Sequence, residues 1–132
     1  MIYLLDTHAL LWYLNDDAQL PAHAKACIEA PEHDLLVSMA SLWEIEIKAS
    51  LGKLKLRTSI EAIHAVIIQQ NMRELPISVA HLVRLHTLPF HHRDPFDRLL
   101  IVQAMEEGAD IISGDRNFPM YPVRIVWEQP AL

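Results

Sequence analysis

The stretch DPFDRLLIVQAMEEGADIISGD, from Asp94 to Asp115, decides the fold. It opens as a helix start: Asp94 at the N-cap, Pro95 at the first helical position, where a missing N–H costs nothing, and Asp97 two residues later, where the helix dipole favours a carboxylate. The helix is predicted to run to Gly108, a residue suited to a left-handed C-cap. Ala109 to Ser113 follows as a short apolar run and reads as a buried strand. Asp115 lies just past that strand. A helix and the strand after it run in opposite directions, so Asp97 and Asp115 are expected at the same edge of the unit.

Working outward, the same grammar repeats. Ile2 to Leu5 is a continuous apolar run ending at Asp6 and reads as a central strand. His8 to Leu14 looks helical, and Asn15-Asp16-Asp17 breaks it. Pro21 opens a second helix to about Ala30. Leu35 to Val37 is the next strand, and Ser38 can cap a helix that passes Lys48 and ends near Gly52. From Ser59 to Gln70, Ile60, Ile63 and Ile67 recur at helical spacing. Glu74 to Ile77 is a short strand that Pro76 confines to a sheet edge. Ser78 caps a helix over Val79 to His86, and Val123 to Val126 is the last strand. Strands alternating with helices of this length predict a parallel sheet with helices on both faces.

Composition bounds the rest. The chain has 132 residues, which suits one domain over residues 1–132. Hydrophobic residues make up 52%, enough for a packed interior. Three glycines and eight prolines are too few for a low-complexity chain. The longest apolar stretches fall short of the ~18 residues of a membrane span, so no membrane association is expected. The first residues carry neither the positive charge nor the long apolar run of a secretory signal. Cys27 is the only cysteine, which excludes an internal disulfide. Both features favour the cytoplasm. A net charge of −6 argues against holding nucleic acid by bulk electrostatics. It leaves room for a nuclease, because carboxylates gathered around cations are themselves acidic.

Four acids stand out by position: Asp6 at the end of the first strand, Glu44 early in the helix after the second, Asp97 and Asp115. Strand C-termini and helix N-termini share one sheet edge in right-handed βαβ units, and open α/β sheets place their sites there. Gathered carboxylates repel, and each would gain a proton. A divalent cation removes the conflict. Mg²⁺ takes oxygen ligands, typically one or two carboxylates with waters and phosphate oxygens. The set could serve one ion, or two about 4 Å apart for phosphodiester cleavage.

These motifs resemble the VapC-type toxins of bacterial toxin–antitoxin pairs, which are PIN-domain proteins. The matching stretches are LLDTHALLWYL (Leu4 to Leu14), SMASLWEIEIK (Ser38 to Lys48), HRDPFDRLLIVQA (His92 to Ala104) and IISGDRNFPMY (Ile111 to Tyr121). The resemblance covers nearly the whole chain. It implies a three-layer α/β/α sandwich with a mainly parallel sheet of four to five strands. It implies a Mg²⁺- or Mn²⁺-dependent endoribonuclease that uses metal-activated water and leaves 5′-phosphate and 3′-hydroxyl ends. It also implies a toxin neutralised by a cognate antitoxin, and a homodimer. The family's acids carry over to Asp6, Glu44, Asp97 and Asp115 as catalytic metal ligands, with Thr7 in support. Many relatives have Thr where this chain has Ser113, which keeps the hydroxyl.

Each residue also has a plainer reading. Ser41-x-x-Glu44 fits a capping box, and Lys48 sits four residues on for an ion pair. Asp97 can serve the helix dipole, and Asp115 can start a turn. Asp94 is assigned to capping. The eight histidines show no H-x-x-x-H or H-E-x-x-H pattern, so no zinc site is expected. Lys48, Arg98 and Arg116 are candidates for RNA-phosphate contact, against the alternative of pairing with the neighbouring acids; Arg93 also flanks them. Trp12, Trp43 and Phe96 are assigned to core and interface rather than base stacking. The exposed share of His8 to Leu14 and Leu42 to Ile47 is a candidate protein-binding surface. Two other classes remain: a module that binds RNA without cutting, and a phosphoacceptor receiver domain. The receiver needs an acid pair at the first strand's end, and Asp16 and Asp17 come too late for it.

Overall fold

The computed structural model describes residues 1–128. β1 (Ile2–Leu5) is the middle of a five-stranded sheet with the order β3-β2-β1-β4-β5, the others being β2 (Asp34–Ser38), β3 (Arg73–Leu75), β4 (Asp110–Ile112) and β5 (Ile125–Val126). Every pairing is parallel. β1 is central because its side chains are apolar on both faces: Tyr3, Leu4 and Leu5 are all buried.

The side chains of β1 alternate between two cores. Tyr3 and Leu5 join Leu35, Val37 and Ile112 on one face, and Leu4 joins Leu36 and Ile111 on the other. α1 (Thr7–Leu14), α2 (Ala22–Glu29), α3 (Met39–Ser50) and α4 (Ile60–Gln69) cover the first face through Leu10, Ile28, Ile45 and Ile67. α6 (Pro95–Glu107) covers the second with Leu99, Leu100, Ile101 and Val102, and α5 (Val79–Thr87) packs beside it through Leu85. The result is the expected three-layer α/β/α arrangement. Each fully buried aliphatic side chain contributes about 1.5–3 kcal/mol.

Helix boundaries follow local chemistry. Ser38, Ser59 and Ser78 cap α3, α4 and α5 through their hydroxyls. Asp94 accepts from the amides of Phe96 and Asp97, and Gly108 ends α6 in the left-handed region at φ 67°. Pro21 stands at the N-cap of α2 rather than at its first helical position, since its ψ of 151° is extended. β3 is an edge strand as expected but occupies Arg73–Leu75: Pro76 has no N–H to donate and stops it. β5 pairs only through Ile125 and Val126, two residues later than its apolar run begins.

A polar chain, buried from Ser38 through Gln103 to His81, ties β2 to α6 and α5. The Ser38 hydroxyl donates to Gln103 Oε1 at 2.6 Å, and His81 Nε2 stands 3.0 Å from Glu107. Strand order reverses at β1, whose neighbours β2 and β4 lead to opposite sides. The C-terminal end of β1 is therefore the switch point of the sheet, and Asp6 sits there.

Candidate metal centre

Asp6 follows the last residue of β1. Its N–H donates to Ile112 O at 3.1 Å, and its Oδ1 accepts from the Ala9 amide at 2.6 Å, capping α1. The carboxyl is buried and pushed up to about 6. Burial is the main cause; the Ser113 hydroxyl, the Ala9 amide and His8 pull it down, and Asp115 raises it. Asp6 thus has both a capping duty and an ionisation conflict.

Thr7 begins α1 and faces α3. Its hydroxyl donates to Glu44 Oε1 at 2.6 Å and lies 3.0 Å from the Ser41 hydroxyl. Glu44 is 3% exposed, and its other oxygen accepts from Lys48 Nζ at 2.6 Å. The capping-box reading of Ser41 and Glu44 fails because Ser38 is the cap, so Ser41 is already inside the helix. The ion pair with Lys48 is present. Hydrogen bonding to Glu44 raises the Lys48 pKa, which keeps the ammonium charged.

Asp97 lies in the first turn of α6, where its N–H donates to Asp94 Oδ1 at 3.0 Å. Its Oδ2 is 3.3 Å from His92 Nε2, and His92 Nδ1 is 2.9 Å from the Tyr121 hydroxyl. Its carboxyl is pushed up to about 8. Burial leads, followed by Asp94, Asp115, Glu44 and Asp6 in that order. Every acid singled out from the sequence therefore acts on Asp97, together with Asp94. Asp115 completes the set from the loop after β4. Its N–H donates to the Ser113 hydroxyl at 3.0 Å, and its Oδ1 accepts from Asn117 N at 2.8 Å.

The four acids share one electrostatic neighbourhood without closing on a point. Among the described residues, no three His, Cys, Asp or Glu side chains form a ready metal-binding group. The donor set is nevertheless the right one for a hard cation: carboxylate and hydroxyl oxygens, two of the carboxyls held above their usual range by burial or by one another. A divalent ion that needs only one or two direct carboxylates fits this arrangement.

The basic residues divide. Arg98 is buried, and this corrects its assignment to phosphate contact. Its guanidinium donates to Pro89 O at 2.7 Å and Leu88 O at 3.1 Å and lies 3.7 Å from the Phe90 ring centroid. Lys48 is held by Glu44, while Arg93 and Arg116 are exposed. Sequence reasoning missed His92, Tyr121 and Ser41. His92 was weighed only as a zinc ligand, although its place five residues before Asp97 puts it across the turn that starts α6.

The comparisons agree with this architecture. A search of curated proteins found no match. Among solved structures, the chain is similar to VapBC2 from Rickettsia felis, described as bound to a DNA fragment from its promoter, with 17% identity, a TM-score of 0.72, and 96% of this chain and 99% of that one covered. It is similar to VapBC-1 from nontypeable Haemophilus influenzae, with 17% identity, a TM-score of 0.68, and coverage of 97% and 98%. FitAcB from Neisseria gonorrhoeae follows, with 15% identity, a TM-score of 0.59, and coverage of 95% and 96%. These likenesses are of fold. The PIN domain model matches residues 3–123, from inside β1 to the approach to β5 and across all four acids, and on that match the chain belongs to the PIN domain family.

Proposed function

We propose that this protein is a metal-dependent endoribonuclease and the toxin of a toxin–antitoxin pair, acting through Asp6, Glu44, Asp97 and Asp115 as one folded domain over residues 1–132. The observation that carries the reading is the gathering of Asp6, Glu44 and Asp115 around Asp97 within the PIN domain match over residues 3–123: burial raises the Asp97 carboxyl first, then Asp94 of its own helix cap, then those three acids. That conflict calls for a cation. When bound, Mg²⁺ or Mn²⁺ would supply positive charge against the phosphate and activate water for attack on phosphorus.

The chain's own residues do the rest. Asp6 and Asp97 would hold the ion, with Glu44 and Asp115 completing the site directly or through water. Thr7 fixes the Glu44 carboxylate by donating to it, and the Ser41 hydroxyl lies against that of Thr7. Ser113 holds the Asp115 loop and steadies Asp6. His92, backed by Tyr121, positions Asp97. Arg116 is free to reach a substrate phosphate, and Lys48 could do so if a cation took its place on Glu44.

The partner reading rests on the solved neighbours, which are VapBC2, VapBC-1 and FitAcB. They support a cognate antitoxin. Exposed apolar side chains on α5 and after it, Val79, Leu82, Val83 and Phe90, support a further protein contact, for which a homodimer is the proposal. No described helix is long and apolar enough to cross a membrane; a cytoplasmic location is proposed. The alternative is a module that binds RNA without cutting. Its support is that both Glu44 oxygens are already engaged. Purified protein with Mn²⁺ or Mg²⁺ should cut RNA, stop on chelation, and leave 5′-phosphate ends. RNA that binds but stays intact over a full metal titration would favour the alternative.

A further inference from the structure

Three rings run in contact beside two of the acids. His8 and Trp12 have centroids 5.6 Å apart, and Trp12 and Trp127 stand 5.9 Å apart. Together with Gly114, Asp6 and Asp115 they line a cleft of about 350 Å³. Both indoles are part-buried, packed against the core behind them while part of each ring stays open. The sequence reading assigned Trp12 to core or interface. Here it also forms part of a wall next to the acids.

Gly114 shows that the wall is closely fitted. A Cβ at this position would lie 2.6 Å from the Trp127 indole. Its φ lies outside the left-handed region, so space, not backbone conformation, demands glycine here. The indole is seated on the chain immediately before Asp115.

Charge supplies an independent argument. The chain has 11 Lys and Arg against 17 Asp and Glu, so bulk attraction cannot hold a polyanion. Arg98 is turned inward and Lys48 is paired. With Arg116 the cation placed for a phosphate, part of the affinity for a strand must come from contacts that do not need positive charge. Stacking on aromatic faces is such a contact. The rings already touch each other, so a base would lie on the wall rather than between them.

We propose that the His8–Trp12–Trp127 wall is a base-binding subsite, which stacks one unpaired base next to the phosphate held at the acids. The inference rests on the nuclease reading for where the phosphate sits. It extends that reading to a substrate class: RNA whose base at this position is unstacked, in a single strand or loop.

The test reads binding rather than cutting. A labelled single-stranded RNA hexamer is titrated against the protein in Ca²⁺, which binds carboxylates without the octahedral demand of Mg²⁺. An abasic site is moved along the hexamer one position at a time. One position should weaken affinity by about 5- to 100-fold, with the others near neutral, and tryptophan fluorescence should change on binding. Trp127→Leu and Gly114→Ala should each weaken the intact hexamer, and on either variant the sensitive abasic position should cost little more. The abasic series uses the unaltered protein, so a misfolded variant does not decide the result. Equal affinity at all abasic positions, absence of binding, or binding of a duplex as tightly as the single strand overturns the subsite. Cutting in Mg²⁺ is scored separately. Base-dependent binding without cutting keeps the subsite and loses the nuclease, while cutting without base dependence does the reverse.

Discussion

Removing the charge of Asp97 should stabilise the metal-free protein. An Asp97→Asn substitution keeps the shape and removes the ionisation. The folded carboxyl is pushed from 3.8 up to about 8. The folded state therefore holds a proton that the unfolded chain has lost between those values, and stability falls as pH rises through that window. Taken whole, the shift is worth on the order of 5 kcal/mol. Water reaches the carboxyl in part and screens it, so about 2 kcal/mol is expected at pH 8. For a chain of this size that is about 5–8 °C in melting temperature.

The assay is thermal unfolding of parent and variant in chelator at pH 4.5 and pH 8. The variant should melt higher at pH 8 and close to the parent at pH 4.5. Saturating Mg²⁺ or Mn²⁺ should then close the gap. Binding at a hundred times the dissociation constant adds about 2.7 kcal/mol to the parent, and the variant, short of one ligand, gains less. A variant that is no more stable at pH 8 in chelator, or whose advantage is the same at both pH values, refutes the claim that burial and the neighbouring acids together penalise the Asp97 carboxylate. Without that penalty the electrostatic case for a cation at Asp97 is lost.

Other substitutions separate capping from chemistry. Asp6→Asn keeps a good N-cap for α1 and removes a carboxyl that burial pushes up to about 6, so the melting temperature at pH 8 in chelator should hold or rise while RNA cleavage, followed by gel, falls more than about a hundredfold. Lys48→Met leaves the buried Glu44 carboxylate without its partner; chemical unfolding in chelator should show a loss of about 2 kcal/mol, and Mn²⁺ should restore more stability than it gives the parent. Arg116→Ala should weaken RNA binding and lower the salt slope of log affinity by about 0.7, read from titrations at several salt concentrations. Arg98→Ala leaves the Leu88 and Pro89 carbonyls without a donor and should cost about 2–4 kcal/mol in urea unfolding, which distinguishes a structural clamp from a phosphate contact.

The sequence made most of the fold legible because its local signals agree with one another. Asp94, Pro95 and Gly108 punctuate α6, and the run before Asp6 is apolar on both faces of a strand. Where local signals are weak, the reading slipped. β3 has one buried residue and an edge position, and its bounds depend on where β2 offers partners. β5 pairs over two residues, set by the reach of β4 rather than by its own apolar run. Arg98 could not be read at all: its burial comes from the loop of Leu88 to Phe90 folding over it, a contact between segments that no spacing along α6 reveals.

Ranking the acids was beyond the sequence for a related reason. Each carboxylate has some local partner, and those partners stabilise its charge by different amounts. Asp6 takes a helix amide, Glu44 a lysine and a hydroxyl, and Asp115 a turn amide. Among the described residues Asp97 has only a histidine, at 3.3 Å. Burial raises its carboxyl first, and then Asp94 of its own helix cap, Asp115, Glu44 and Asp6. The cap that starts α6 and the charge conflict at its first turn share a residue: Asp94 holds the amides and also raises the Asp97 carboxyl. If a cation is what answers that conflict, Asp97 should govern metal affinity more strongly than Asp6, although Asp6 sits at the switch point of the sheet. Equal losses of metal affinity for Asp6→Asn and Asp97→Asn, read by calorimetry, would contradict that ordering.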